Sequence, residues 1–249
     1  MCFAFAVPKL RQPIPETESS NRMGDRQNLP TAAEGLNLPH ADPFSLLLNA
    51  LNKIHTAWLR ATYPFRAFGH GVSIEWSAEV SRAAARHVAL GDGVFIGKDV
   101  WLNIAHHENS GNAKILLGNG CRIGRRTTIS ARNSVVLEND VLLAPSVLLM
   151  DHNHEYSDIQ LPIHAQGITT GGTIRVGKNC WLGYGAVIFC ASGELTIGQN
   201  SVVGANSVVT KSVPPFSVVA GAPARVIKQY DDVTGQWVRP VAISAEVSS

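Results

Sequence analysis

Charge is scarce in this chain: only 16% of its 249 residues are Asp, Glu, Lys or Arg, against about a quarter in an ordinary globular protein. The formal net charge is +2. No long basic run occurs, so the footprint of a nucleic-acid binder is missing and no such partner is expected. No stretch of about 18 apolar residues occurs, which excludes a membrane-spanning α-helix. Cysteine is also sparse. Cys2, Cys121, Cys180 and Cys190 fit neither a zinc ribbon nor a CxxC motif. They read as reduced thiols in a cytoplasmic protein, and no metal is expected. The opening MCFAFAVPKLRQ has no basic leader, and Pro8 cuts its apolar run shorter than a signal peptide needs.

What is present changes character along the chain. Residues 1–42 are rich in Pro, Ser, Asn and Glu and have no periodicity, which predicts a disordered or arm-like segment. Residues 43–70 read as an amphipathic helix and a linker. Asp42 is suited to cap the helix, Pro43 to its first turn, and Pro64 ends it. Leu47, Leu48, Leu51, Ile54, Trp58 and Leu59 fall at helical spacing. This stripe is expected to pack on the main domain or on a partner subunit. Lys53, Arg60 and Arg66 lie nearby, so a peripheral contact between the 43–60 helix and a membrane is a second reading.

From residue 71 to 230 the chain is repetitive. LGDGVF-IGKDVW begins at Leu90, LGNGCR-IGRRTT at Leu117, LENDVL-LAPSVL at Leu137, VGKNCW-LGYGAV at Val176 and IGQNSV-VGANSV at Ile197. An aliphatic residue returns every six positions, followed by small and then polar residues. Ordinary strands alternate with period two and helices with period 3.6. Period six suits short flat strands joined by sharp corners, with three units closing one triangular coil. Gly, Asn and Asp belong at the corners because they tolerate positive φ. One coil cannot bury its own apolar face, so coils must stack into a parallel β-helix with a continuous core. Cys121 and Cys180 occupy small-residue positions of this pattern and read as core. The repeat slips between Asn103 and Leu116, between Ile129 and Leu137, between Met150 and Ile174, and near Ala191–Gly193. Such insertions sit at corners. Residues 231–249 form a C-terminal tail.

The repeats, the break LMDHNHEYSD and the tail VTKSVPPFSVVAGAPARVIK resemble the hexapeptide-repeat O-acetyltransferases. The likeness is to galactoside and maltose acetyltransferases and to sugar acetyltransferases of surface-polysaccharide synthesis. It implies a mainly β fold, a left-handed parallel β-helix, acetyl-CoA as acyl donor, a sugar or glycan acceptor and a homotrimer with sites between subunits. It places His152 as general base, where the chain leaves the repeat. A sugar hydroxyl is a poor nucleophile, and an imidazole, which titrates at about 6.5 when free, can take its proton. Asp151 or Glu155 would orient the ring. His154 and Asn103 are candidates on the acceptor side. Asn103, however, lies 49 residues before His152, and counting six-residue units puts Gly124 nearer the position one coil below. Trp181, Tyr184, Gly185, Ala205, Thr210, Lys211, Arg225 and Lys228 match positions that touch coenzyme A, the cations meeting its phosphates. Backbone N–H groups of Gly183–Gly185 are candidates for an oxyanion hole.

Two rival functions share the fold. A γ-class carbonic anhydrase needs three histidines on zinc, and His106, His107, His152 and His154 bring it into view, though without that family's spacing. The other is a non-catalytic scaffold or binding module.

Overall fold

A computed structural model of the chain describes residues 43–105 and 113–239. The expected arm at 1–42, the Asp42 cap, His106 and His107, and the end of the tail from residue 240 lie outside the described residues.

The six-residue pattern folds as three flat faces. The first face stacks six parallel strands, Ala67–Phe68, Val88–Leu90, Ile115–Leu117, Ser134–Leu137, Gly171–Val176 and Ser192–Ile197. The second runs from Ser73–Ile74 through Phe95–Ile96, Arg122–Ile123, Leu142–Leu143, Trp181–Leu182 and Val202–Val203 to Ser217–Gly221. The third holds Glu79–Val80, Trp101–Ile104, Thr128–Ala131, Leu148–Met150, Val187–Phe189 and Val208–Val209. Each coil visits the faces in that order, and every neighbour along these stacks is parallel. The architecture is a left-handed parallel β-helix.

The aliphatic positions stack into internal columns. Ile74, Ile96, Ile123, Leu143, Leu182, Val203 and Val219 form one, all buried. Cys121 and Cys180 join the core, and their thiols donate to the carbonyls of Glu138 and Gly198 in the coil above. Burial pushes the Cys121 thiol up to about 11, so it stays an unreactive small apolar group. Corners turn at positive φ on Asp99, Asp140, Asn179, Asn200 and Asn206. At the corner between the first and second faces, the side-chain oxygen of Asn119 accepts from the N–H of Asp92, and that of Asn139 from the N–H of Asn119. Corner amides thus satisfy backbone donors that the flat strands leave open.

Both ends differ from the sequence expectation in register. The first strand starts at Ala67, ahead of residue 71, because Ala67–Phe68 already pairs with Ala89–Leu90. At the other end the chain reverses. Ala224–Asp231 runs antiparallel to Ser217–Gly221, and Gln236–Val238 pairs back on Gln229–Asp231, carrying the sheet past residue 230.

Helix α1 spans Pro43–Thr62 and lies on the first coil. It docks through a face other than the apolar stripe. The Thr56 hydroxyl donates to the carbonyl of Ile74 and accepts from its N–H. Asn52 accepts from the N–H of Trp76 and donates to Glu75. Leu59 alone of the expected stripe is buried, while Leu47, Leu51, Ile54 and Trp58 point away from the body. The reason is the open edge of the second face, whose unpaired backbone groups need hydrogen-bond partners before they need apolar cover. A short helix α2, Arg82–Ala85, follows, capped by Ser81.

Candidate functional site

The corner between the third and first faces carries the longest insertions. Its residues stack in register: Asn103 lies under Ser130, and Ser130 under Met150. Asp151 and His152 follow Met150 directly, both buried, at 0% and 7% exposure.

Asp151 is the hub of this corner. Its carboxylate accepts from the backbone N–H groups of Arg132, Asn133 and Ser134 at 2.6, 2.8 and 2.9 Å. Its Oδ1 also lies 3.0 Å from Nδ1 of His152. Burial alone would raise the carboxyl pKa, but the bonds from His152 and the three backbone donors outweigh it and hold the group below its usual range. An ionised carboxylate only accepts. In the neutral ring Nδ1 of His152 therefore carries the proton, and Nε2 keeps its lone pair. Glu155 is not part of this arrangement, since its carboxylate accepts from the N–H groups of Tyr156 and Ser157.

The insertion that follows leaves as a finger. Asn153 and Thr169 exchange hydrogen bonds, His154 bridges Ile168, and the N–H of Glu155 donates to Gly167. Gln166, in the short helix α3 (Ile163–Gln166), ties the tip by bonding the backbone of Asp158 and Leu161. His154 itself is exposed. The finger returns through Gly171 and Gly172. The N–H of Gly172 bonds the carbonyl of Asp151 at 2.6 Å, and a Cβ there would stand 2.5 Å from Cys190 Sγ and 2.7 Å from the Gly193 carbonyl oxygen.

Asn103 belongs to this corner, two coils below Met150, and donates to the Ser130 hydroxyl at 2.9 Å. Gly124 does not; it lies at the corner between the second and third faces, under Ala144. Ser130 holds the position one coil below, and sequence reasoning missed it. Its signal was its place in the strand Thr128–Ala131, just before the repeat slips.

Thr210, Lys211 and Arg225 meet at the same corner as His152, higher in the stack. With Ser212, Val219 and Val226 they line a groove of about 280 Å³. Trp181, Tyr184, Gly185 and Ala205 lie elsewhere. Trp181 is 49% exposed on the second face, in line with Leu142 and Val202. Tyr184 and Gly185 turn the next corner beneath Ala205 and Asn206. That corner is separated from His152 by the width of the third face, about five residues or roughly 17 Å. The N–H groups of Gly183 and Gly185 are spent on the carbonyls of Val203 and Pro145, so they do not form an oxyanion hole. Lys228 pairs with Val218 on the reversed strand, outside the groove. A larger hollow of about 480 Å³ lies on the outer side of the first face, over Ala89, Leu116 and Val136. Its carboxylate, Glu138, is paired with Arg175. Among the described residues, no group of three or more His, Cys, Asp or Glu is arranged to hold a metal.

Comparison with known proteins bears on this geometry. Residues 173–211 match the family described as "Hexapeptide repeat of succinyl-transferase". Galactoside O-acetyltransferase of Escherichia coli is 33% identical over 141 residues, covering 55% of this chain and 64% of that protein. Over these residues the chain is similar to the hexapeptide-repeat acetyltransferases. A second relative, galactoside O-acetyltransferase of Lactococcus lactis, is 26% identical over 137 residues, covering 55% of this chain and 63% of its own length. The chain thus spans less than two thirds of either relative. Among solved structures, a variant of AntD, an N-acyltransferase from Bacillus cereus in complex with dTDP and coenzyme A, superposes with a TM-score of 0.58 at 18% identity, covering 72% of this chain and 90% of that one. That likeness is one of fold.

Proposed function

We propose that this hexapeptide-repeat β-helix protein transfers the acetyl group of acetyl-CoA to a hydroxyl of a sugar or glycan, with His152 as general base. The observation that carries the reading is the Asp151–His152 pair at the corner where the chain leaves the repeat. Nε2 accepts the acceptor's hydroxyl proton as that oxygen attacks the thioester carbonyl. The tetrahedral intermediate then collapses, the C–S bond breaks, and the imidazolium returns the proton to the CoA sulfur. Asn103 and Ser130, hydrogen-bonded below the base, offer polar groups to an acceptor sugar. The galactoside O-acetyltransferase relatives support a hydroxyl as the acceptor group.

The groove of Thr210, Lys211 and Arg225 receives the donor, the two cations facing its phosphates. Trp181 and Tyr184 sit one corner away within a chain. In a homotrimer, the assembly we infer, they approach His152 of a neighbouring copy and line the pantetheine channel. Closed cyclic symmetry is the common solution for such surfaces. The outward ladder of Leu142, Trp181 and Val202 gives it an apolar seam.

Calorimetric titration with acetyl-CoA tests this reading. One saturable site per subunit is expected, and a folded protein that takes up no acetyl-CoA overturns it in favour of a scaffold. Lys211→Ala is expected to raise KM for acetyl-CoA by about tenfold, in line with the loss of one charge-assisted hydrogen bond, while KM for the acceptor moves little. Steady-state kinetics with each substrate varied in turn will check it. An unchanged acetyl-CoA KM removes Lys211 from the phosphate site.

A further inference from the structure

Helix α1 presents an apolar face that no described part of the chain covers. Leu47, Leu51, Ile54 and Trp58 recur at the spacing of one helical stripe and are 46% to 66% exposed, with Leu46 beside them at 55%. The helix cannot turn this stripe inward. Thr56 and Asn52 bond the edge of the first coil from another side of the helix and fix its rotation. A face of this size on a small domain marks an interaction site.

The charge around it selects the partner. From Pro43 to Ile74 the chain contains Lys53, Arg60 and Arg66 and no Asp or Glu. All three cations are exposed, and Arg60 lies over the Phe68 ring. Glu75, just beyond this stretch, accepts from Asn52. A second copy docked through its own α1 would set like charges against one another. A bilayer with anionic headgroups satisfies both the stripe and its basic flanks. Trp58, packed against His55 and the edge of Tyr63, is the residue type that settles at headgroup depth. No helix among the described residues is long and apolar enough to cross a membrane, so α1 would lie in the plane of the surface.

We infer that α1 docks the protein on an anionic bilayer surface through Leu47, Leu51, Ile54 and Trp58. The contact is independent of acyl transfer and is read without turnover.

The test sediments the full-length protein with vesicles of phosphatidylcholine alone and with vesicles of equal parts phosphatidylcholine and phosphatidylglycerol. The preference for the anionic vesicles should be on the order of a hundredfold for three basic residues, and added salt should reduce it. Leu51→Glu with Ile54→Glu should lower binding by roughly tenfold or more, with melting temperature and subunit number unchanged. Lys53→Glu with Arg66→Glu should remove the anionic preference. The inference is overturned if the wild type stays in the supernatant with anionic vesicles, or if the Leu51/Ile54 variant binds them as before. A drop in subunit number in that variant, read by light scattering, overturns it too and gives the face to a second copy.

Discussion

His152→Ala should lower kcat by a factor of at least ~10², within the span usual for a lost general base, while acetyl-CoA still binds and the assembly survives. The imidazole is buried at the corner and bonded to Asp151, so its removal takes away the proton acceptor and leaves the Asp151 cradle in place. The donor groove lies higher in the stack, on Thr210, Lys211 and Arg225, out of reach of the substitution. The decisive comparison sets turnover with a sugar acceptor against calorimetric acetyl-CoA affinity in the same preparation. A correctly folded variant with near-normal turnover would remove His152 from the chemistry.

Asp151 should be costlier to lose, because it serves the ring and the backbone at once. Asp151→Ala leaves the N–H groups of Arg132, Asn133 and Ser134 without their acceptor. Removing one partner of a buried charged network costs about 3–5 kcal/mol, or a melting temperature lower by roughly 10 °C in a chain of this size. Asp151→Asn keeps the shape but turns an amide NH₂ toward donors, and it no longer enforces the proton on Nδ1. Its kcat should fall by about 10²–10⁴. The wild-type carboxyl is held below its ordinary value of 3.8 in the folded state. Its stabilisation is therefore complete above that value and is lost as pH falls through the lower folded value. Thermal melts between pH 2 and 7 should show an acid limb below about pH 4 that is shallower in Asp151→Ala. Equal limbs in the two proteins would sink the linkage.

How much of this was legible in the sequence follows from what a one-dimensional pattern can count. Strand and corner positions are local, so the period of six found the core columns, and the break after Met150 found the Asp151–His152 corner. Height in the stack is not local. Insertions at corners lengthen the chain without adding a coil, so the 49 residues between Asn103 and His152 make only two steps, and Ser130 stayed hidden. The docking face of helix α1 was misjudged for a different reason. Hydropathy marked Leu47, Leu51, Ile54 and Trp58 as the docking face, whereas the edge of the first coil recruited the polar Thr56 and Asn52. The separation of Trp181 from His152 likewise belongs to the prism's cross-section, which no spacing rule records.

The two ends of the stack also determine something the repeat cannot. A coil with a bare rim is a template, and identical rims grow by addition until they form a fibre. Here the Thr56 hydroxyl occupies both backbone groups of Ile74, and at the far end Ala224–Asp231 runs the opposite way to every strand before it. Each chain therefore writes its own start and stop signals for polymerisation, and a pattern that is open-ended in its arithmetic yields an object of fixed length.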